Sequence, residues 1–138
     1  MKKLVTCKEM KDLDSTTIRE IGVPSEVLME RAALKVVEET EKYLQKDERI
    51  LVVCGSGNNG GDGFAAARLL SLKGFNSFIY FMGKEEKLKG DALTNYNAAQ
   101  KMGIYIEKDI NNADVLFKIA DILVDAVFGT GFSGEPRS

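Results

Sequence analysis

The chain has 138 residues, 44% of them hydrophobic and 29% charged, as expected of a single globular domain with a real core. Its net charge of −2 gives no electrostatic case for nucleic acid or an anionic membrane as the main partner. No apolar run approaches the ~20 residues of a membrane span, and the basic N-terminus lacks the apolar segment of a signal peptide.

Two helices are predicted before the first strand. Residues Thr6–Glu9 form a capping box, with a hydroxyl at the helix start and a glutamate three positions later, which predicts a helix that ends at about Ile21. Pro24 and Ser25 then open a second helix to about Leu44, in which apolar residues recur at helical spacing.

Strands and helices alternate in the rest of the chain. Strands are predicted near 50–54, 77–81, 104–106 and 122–127, and helices from about Phe64 to Gly74, Asp91 to Met102 and Asn112 to Ala120. The first strand is apolar without alternation, as in a strand that is buried on both faces. This pattern predicts a Rossmann-like α/β fold with three αβα layers and a parallel sheet, whose four strands have the order 3-2-1-4. We expect residues 1–138 to form one domain.

A glycine-rich segment, CGSGNNGGDGF at residues 54–64, connects the first of these strands to the next helix. It fits the G-x-G-x-x-G pattern of dinucleotide-binding folds, but the acidic ribose ligand expected about 20 residues further on, near Tyr80, is missing. The N–H groups at a helix start lack partners and the helix dipole is positive there, so the segment is suited to a phosphate or another anion. The alternative is a tight turn with glycines in left-handed conformations.

A second glycine-rich segment, DAVFGTGFSG at residues 125–134, ends the last predicted strand. Asp125 stands among apolar residues, where a buried carboxylate requires a partner. In the order 3-2-1-4 the first and fourth strands are neighbours, and ligands bind outside the carboxyl ends of strands at that switch point. We therefore expect the two segments to face each other across one crevice. The alternative is that Asp125 caps a local turn or pairs with an arginine.

The chain has no histidine and two cysteines, Cys7 and Cys54. The lack of histidine excludes Ser-His-Asp and Cys-His catalysis and every histidine-ligated metal site. The cysteines form no metal-type or redox-type pair, and Cys54 ends an apolar run as a small core residue does. A reducing, cytoplasmic location fits this use of cysteine.

The two glycine-rich motifs, together with EMKDLDSTTIREIGVPSEVLMERAA upstream, resemble the NAD(P)H-hydrate epimerases, the YjeF N-terminal domain family. The resemblance covers essentially the whole chain. It implies an isomerase of metabolite repair that interconverts the R and S epimers of hydrated NADH and NADPH. It also implies a dehydratase partner, fused or separate, and a homodimer, whereas the net charge and the lack of a membrane span predict no nucleic-acid or membrane partner.

The resemblance also implies which residues form the site. The first substrate-binding segment is Asn58, Asn59, Gly60, Gly61 and Asp62, and the second is Gly129, Thr130, Gly131, Phe132, Ser133, Gly134 and Glu135. Asn59 and Asp125 match potassium ligands of the family, so K+ is the implied cofactor. An amide oxygen and a buried carboxylate suit a hard cation, which would in turn neutralise Asp125. Asp125 is also the candidate catalytic group, for proton transfer.

The family domain extends beyond the residues of this chain. In the family the fold continues past Gly134, and a later Asp-x-Pro-Ser-Gly segment supplies another substrate aspartate and a potassium serine. Residues 1–138 are therefore expected to be the N-terminal portion of the family domain, with the fourth strand left as an uncovered, aggregation-prone edge.

Two other functions stay open. One is a noncatalytic nucleotide-binding or interaction module that keeps the glycine-rich loops without turnover. The other is a standard NAD-dependent dehydrogenase, although the chain lacks both the acidic ribose ligand and a Tyr-x-x-x-Lys pair.

Overall fold

The structure, a computed structural model, describes residues 3–6, 22–45 and 47–127, except for the side chains of Lys3 and Thr6. Five strands form one parallel sheet: β1 Lys3–Thr6, β2 Arg49–Cys54, β3 Asn76–Phe81, β4 Ile106–Glu107 and β5 Ile122–Ala126. The described ranges also contain the α-helices α1 Ser25–Glu41, α2 Asn58–Leu72, α3 Gly90–Lys101 and α4 Ala113–Ile119. One-turn 3-10 helices lie at Glu85–Lys87 and Ile110–Asn112.

The strand order across the sheet is β1-β5-β2-β3-β4, which places β2 at the centre. Val52 of β2 is in register with Ile79 of β3 on one side and with Val124 of β5 on the other. Only the first residue of β2, Arg49, is exposed, and the rest of the strand is buried. A central parallel strand that is covered on both faces has no solvent-facing position, which explains its unbroken apolar sequence.

The predicted order 3-2-1-4 is confirmed, since those four strands lie in the order β4-β3-β2-β5. The prediction that the last strand forms an edge is wrong, because β1 pairs with β5 in parallel, with Lys3 opposite Ile122 and Thr6 opposite Asp125. β1 has 4 residues, too few to show a hydrophobic period, and its hydrogen-bond partners come from the far end of the described chain. The reason for expecting aggregation at the edge of β5 is thereby removed.

Other boundaries differ from the sequence prediction in detail. The helix expected from Thr6 to Ile21 lies outside the described residues, apart from Thr6, which ends β1. The second predicted helix is α1, which begins at Ser25 as expected and ends at Glu41 rather than near Leu44. The third predicted strand is shifted, because the Ile104 N–H donates to the Ala99 carbonyl at 3.2 Å and so closes α3 before the strand begins.

The helices lie on both faces of the sheet. α1, α2 and α3 pack on one face, where Val36, Phe64 and Ala99 join the buried side chains Ile50, Val52 and Cys54 of β2. α4 packs on the other face, where Leu116 contacts the cluster that contains Leu51 and Phe78. The three-layer αβα arrangement is confirmed. Within the described ranges, no helix combines the length and the apolar character that crossing a membrane requires.

Three aromatic rings tie α2, β3 and α3 together. The ring of Phe64 lies edge-on to Tyr96 at 5.2 Å between centroids and edge-on to Phe81 at 5.6 Å. Phe81 and Tyr96 are also in contact, at 5.5 Å. Burial raises the pKa of the Tyr96 hydroxyl above its ordinary value, because the phenolate would be poorly solvated there. This group holds the helix that begins at the glycine-rich segment in a fixed position on the sheet.

Candidate functional site

The carboxyl ends of β2 and β5 lie side by side at one edge of the sheet. The Gly55 N–H, directly after β2, donates to the Ala126 carbonyl of β5 at 3.2 Å. Cys54 is in register with Ala126, and Gly55 lies close to Val127. The predicted adjacency of these strands is confirmed, and with it the position of the glycine-rich segment at the switch point of the sheet.

Gly60, Gly61 and Gly63 of the segment permit close packing rather than a left-handed turn. A Cβ added at Gly60 would lie 1.9 Å from the Gly55 carbonyl oxygen, so the segment folds back onto its own backbone. A Cβ at Gly61 would lie 2.7 Å from Met29 Cε of α1, and one at Gly63 would lie 2.5 Å from Ala126 Cβ. The glycines with positive φ in the described ranges all lie outside this segment, at positions 22, 74, 90 and 103. The alternative of left-handed turn glycines is therefore wrong for this segment.

The first turn of α2 faces the carboxyl edge of the sheet. Gly57 is its N-cap residue, with extended backbone at φ −89° and ψ −166°, and it has no side chain with which to cap the helix. Asn58 is exposed, Asn59 is half-buried and Asp62 is buried at 1% exposure. The unpaired first-turn N–H groups and the positive end of the helix dipole make this turn suited to an anionic group.

The connector after β3 also lies against the glycine-rich segment, and the sequence analysis did not identify it as part of the site. The Met82 N–H donates to the Cys54 carbonyl at 2.8 Å and extends the pairing of β3 with β2. Gly83 packs directly on the glycine-rich segment, since a Cβ there would lie 2.8 Å from the Ser56 nitrogen. A glycine two residues after an apolar strand was the available signal for this close approach.

Asp125 lies at the carboxyl end of β5, half-buried, with Val53 as its register partner on β2. Its Oδ1 accepts a hydrogen bond from the Val127 N–H at 2.9 Å, which is the local turn contact that the sequence left open as an alternative. Val124 and Ala126 pack beneath α2, so strand alternation directs Asp125 to the opposite face, which carries α4. Asn59 lies in the first turn of α2, on the face of the sheet that α2 covers.

The second predicted substrate segment, Gly129–Glu135, lies outside the described residues. The described residues of the site are therefore the glycine-rich segment, the first turn of α2, the connector after β3 and the end of β5. Among the described residues, no group of three or more acidic, cysteine or histidine side chains is arranged to hold a metal ion.

The sheet order, with the glycine-rich segment at its switch point, defines a Rossmann-like α/β protein. Residues 25–138 match the family described as YjeF-related protein N-terminus, and the chain belongs to this family.

Relatives of this chain include enzymes of NAD(P)H-hydrate repair. The bifunctional NAD(P)H-hydrate repair enzyme Nnr of Moorella thermoacetica is 44% identical over 139 residues, which cover 95% of this chain and 26% of the Moorella protein. The NAD(P)H-hydrate epimerase of Oenococcus oeni is 43% identical over 134 residues, with 95% of this chain and 61% of that protein covered.

The crystal structure of yeast YNL200c has the same fold, with a TM-score of 0.72 at 23% identity over 98% of this chain and 60% of the yeast chain. The chain spans less than two thirds of the length of each of these relatives.

Proposed function

We propose that this chain carries the substrate-binding crevice of an NAD(P)H-hydrate epimerase, which interconverts the R and S epimers of hydrated NADH and NADPH. The observation that carries the proposal is the bond between Gly55 and Ala126, which brings the glycine-rich segment and the start of α2 beside the end of β5. Relatives with 44% and 43% identity are named as a hydrate repair enzyme and a hydrate epimerase, which supports the same activity here.

The site residues have distinct roles in this proposal. The first-turn N–H groups of α2 receive the pyrophosphate, and the amides of Asn58 and Asn59 direct it. Asp125 is the proposed proton-handling group, since the chain has no histidine and this carboxylate lies at the end of the switch-point strand. Residues Gly129–Glu135, which follow β5 in sequence, are the proposed second substrate segment.

The test is an epimer-ratio assay. Hydrated NADPH enriched in one epimer is incubated with the purified chain, and chromatography follows the return to the equilibrium ratio. We expect the protein to accelerate this return far above the rate in buffer. Binding of the hydrate without acceleration would indicate a noncatalytic binding module instead, and the lack of both binding and acceleration would contradict the proposal.

The proposed partners follow from the same activity. A dehydratase that consumes the S epimer is the proposed functional partner, and the Moorella relative is named as a bifunctional repair enzyme. Assembly as a homodimer and a cytoplasmic location remain predictions, which gel filtration with light scattering and cell fractionation would check.

We further propose K+ as the cofactor, with Asn59 and Asp125 as two of its ligands. A carboxylate and an amide oxygen fit a hard monovalent cation, because one negative charge balances one positive charge. The bond from the Val127 N–H holds one oxygen of Asp125 in place at the strand end. Asn59 lies in the first turn of α2, and Asp125 is directed to the other face of the sheet, so the proposed shared ion lies at the edge between the two faces.

Replacing Asp125 with asparagine is expected to abolish the potassium dependence of substrate binding and to weaken binding. The substitution keeps the shape but removes the charge that holds the ion, so the loss should exceed the value of one neutral hydrogen bond, about 1 kcal/mol. Asn59→Ala should have a weaker effect, and the double variant should be less than additive because both changes act through one ion. Titration of a substrate analogue against K+ concentration measures these effects.

The control is Asp114→Asn, which removes an exposed carboxylate on α4 with the same change of charge. This variant should keep the wild-type potassium dependence. Additive losses with intact potassium dependence in the Asn59 and Asp125 variants would show that these residues share no cation, and Asp125 would then serve the local turn alone.

A further inference from the structure

We propose that the connector Met82–Lys84 receives the adenosine ribose of the dinucleotide, and that Lys84 contacts a 2′-phosphate there, so that the site prefers the NADPH-derived hydrate. This inference rests on the proposed function, which supplies a dinucleotide whose pyrophosphate lies at the start of α2.

The connector follows β3 at the place where the adenosine half of a bound dinucleotide is expected. β3 is the neighbour of β2 on the side away from β5, and its register with β2 ends at the pair Cys54 and Phe81. Beyond that pair, Gly83 lies against Ser56, the residue before the N-cap of α2. A dinucleotide that crosses the switch point with its pyrophosphate on the glycine-rich segment therefore has its adenosine half beside residues 82–84.

The charges of the connector are those of a phosphate site rather than of a ribose-diol site. In doubly wound sheets an acid near the end of this strand binds the ribose hydroxyls of NAD, whereas a cation accommodates the 2′-phosphate of NADP. Here Tyr80, Phe81, Met82 and Gly83 are uncharged, and the first charged residue is the exposed Lys84.

No acid of the described ranges is paired with the ammonium group of Lys84, which is therefore available to bind a phosphate. Glu85, the nearest acid in sequence, forms an ion pair with Lys108. Lys84 forms no ion pair with any other residue in the described ranges. An ammonium group with no acid engaged to it can pair with a phosphate dianion without first breaking another contact.

The test compares two nonreacting probes, ADP-ribose and 2′-phospho-ADP-ribose, by calorimetry on the intact chain. We expect the phosphorylated probe to bind about tenfold more tightly at low salt, with the preference shrinking as the salt concentration rises. Lys84→Ala should remove the preference, because it should weaken the binding of the phosphorylated probe far more than that of ADP-ribose. The matched control is Lys87→Ala, which removes an exposed lysine from the one-turn 3-10 helix after the connector and should keep the preference.

The inference would be overturned if Lys84→Ala kept the wild-type preference for the phosphorylated probe, if Lys87→Ala lost that preference equally, or if neither probe bound. Turnover measurements distinguish a failure of this inference from a failure of the proposed function. Epimerisation of both hydrates with a ratio of KM values that Lys84→Ala leaves unchanged would overturn the role of Lys84 alone. Binding that depends on the 2′-phosphate and on Lys84, without epimerisation, would support the inference and contradict the proposed activity.

Discussion

Gly60→Ala is expected to lower the free energy of unfolding by about 2–3 kcal/mol, although alanine is the better helix former by about 1 kcal/mol. The added Cβ would lie 1.9 Å from the carbonyl oxygen of Gly55 and 2.7 Å from its carbonyl carbon. These are backbone atoms, so no side-chain rotation relieves the clash, and the segment must move away from the end of β5. Denaturant unfolding measures the loss, and ligand binding should fall with it.

The matched control is Gly57→Ser in the same segment. Nothing lies within 4 Å of the position that a Cβ would take at Gly57, and the backbone there is extended. Serine is a favoured N-cap residue, so we expect a change within about 0.5 kcal/mol. Equal stability of Gly60→Ala and Gly57→Ser would show that close backbone contact does not explain the glycines of this segment.

Phe64→Ala is expected to lower the free energy of unfolding by about 3–5 kcal/mol, the largest effect of any substitution considered for this chain. Phe64 is fully buried and its ring contacts Phe81 and Tyr96, so truncation leaves a cavity between α2, β3 and α3. The same denaturant measurement applies. Leu72→Ala, which truncates a side chain on the same helix that is 66% exposed, should change stability by less than about 0.5 kcal/mol.

A small loss for Phe64→Ala, comparable with that for Leu72→Ala, would contradict the packing of α2 on the sheet. Phe64→Leu offers a graded comparison, because it refills part of the cavity and should recover a substantial part of the lost stability.

Much of the fold follows from local sequence. Ile50–Cys54 is apolar without a break because β2 is central, and the glycine-rich segment that follows marks the start of α2. β1 could not be predicted in the same way, since Leu4 and Val5 acquire a strand partner only through β5. The strand near Ile104 was displaced because a backbone hydrogen bond to Ala99 closes α3 first. Local patterns predict elements, whereas pairing over long separations decides which short segments become strands.

The candidate site likewise combines features that the sequence predicted with features that only the folded chain reveals. Strand order alone placed Asp125 at the same edge as the glycine-rich segment, and the structure confirms that β2 and β5 are neighbours. The face to which Asp125 points depends on the packing of Val124 and Ala126 beneath α2, which a nearly uniform apolar strand does not reveal. The contact of Gly83 with Ser56 joins two loops that are separate in sequence, so it required the folded chain.

The strand order also has a consequence for the order of folding. β2 and β3 are joined by one helix and can pair early, whereas β5 pairs with β2 only after the intervening chain has closed a long loop. We therefore expect the β2–β3 pairing to nucleate the domain and β5 to join late, with β1 after it. Because the proposed substrate site lies where the carboxyl ends of β2 and β5 meet, it forms only with that late step, and a nascent chain that has not yet reached Ala126 has not assembled it.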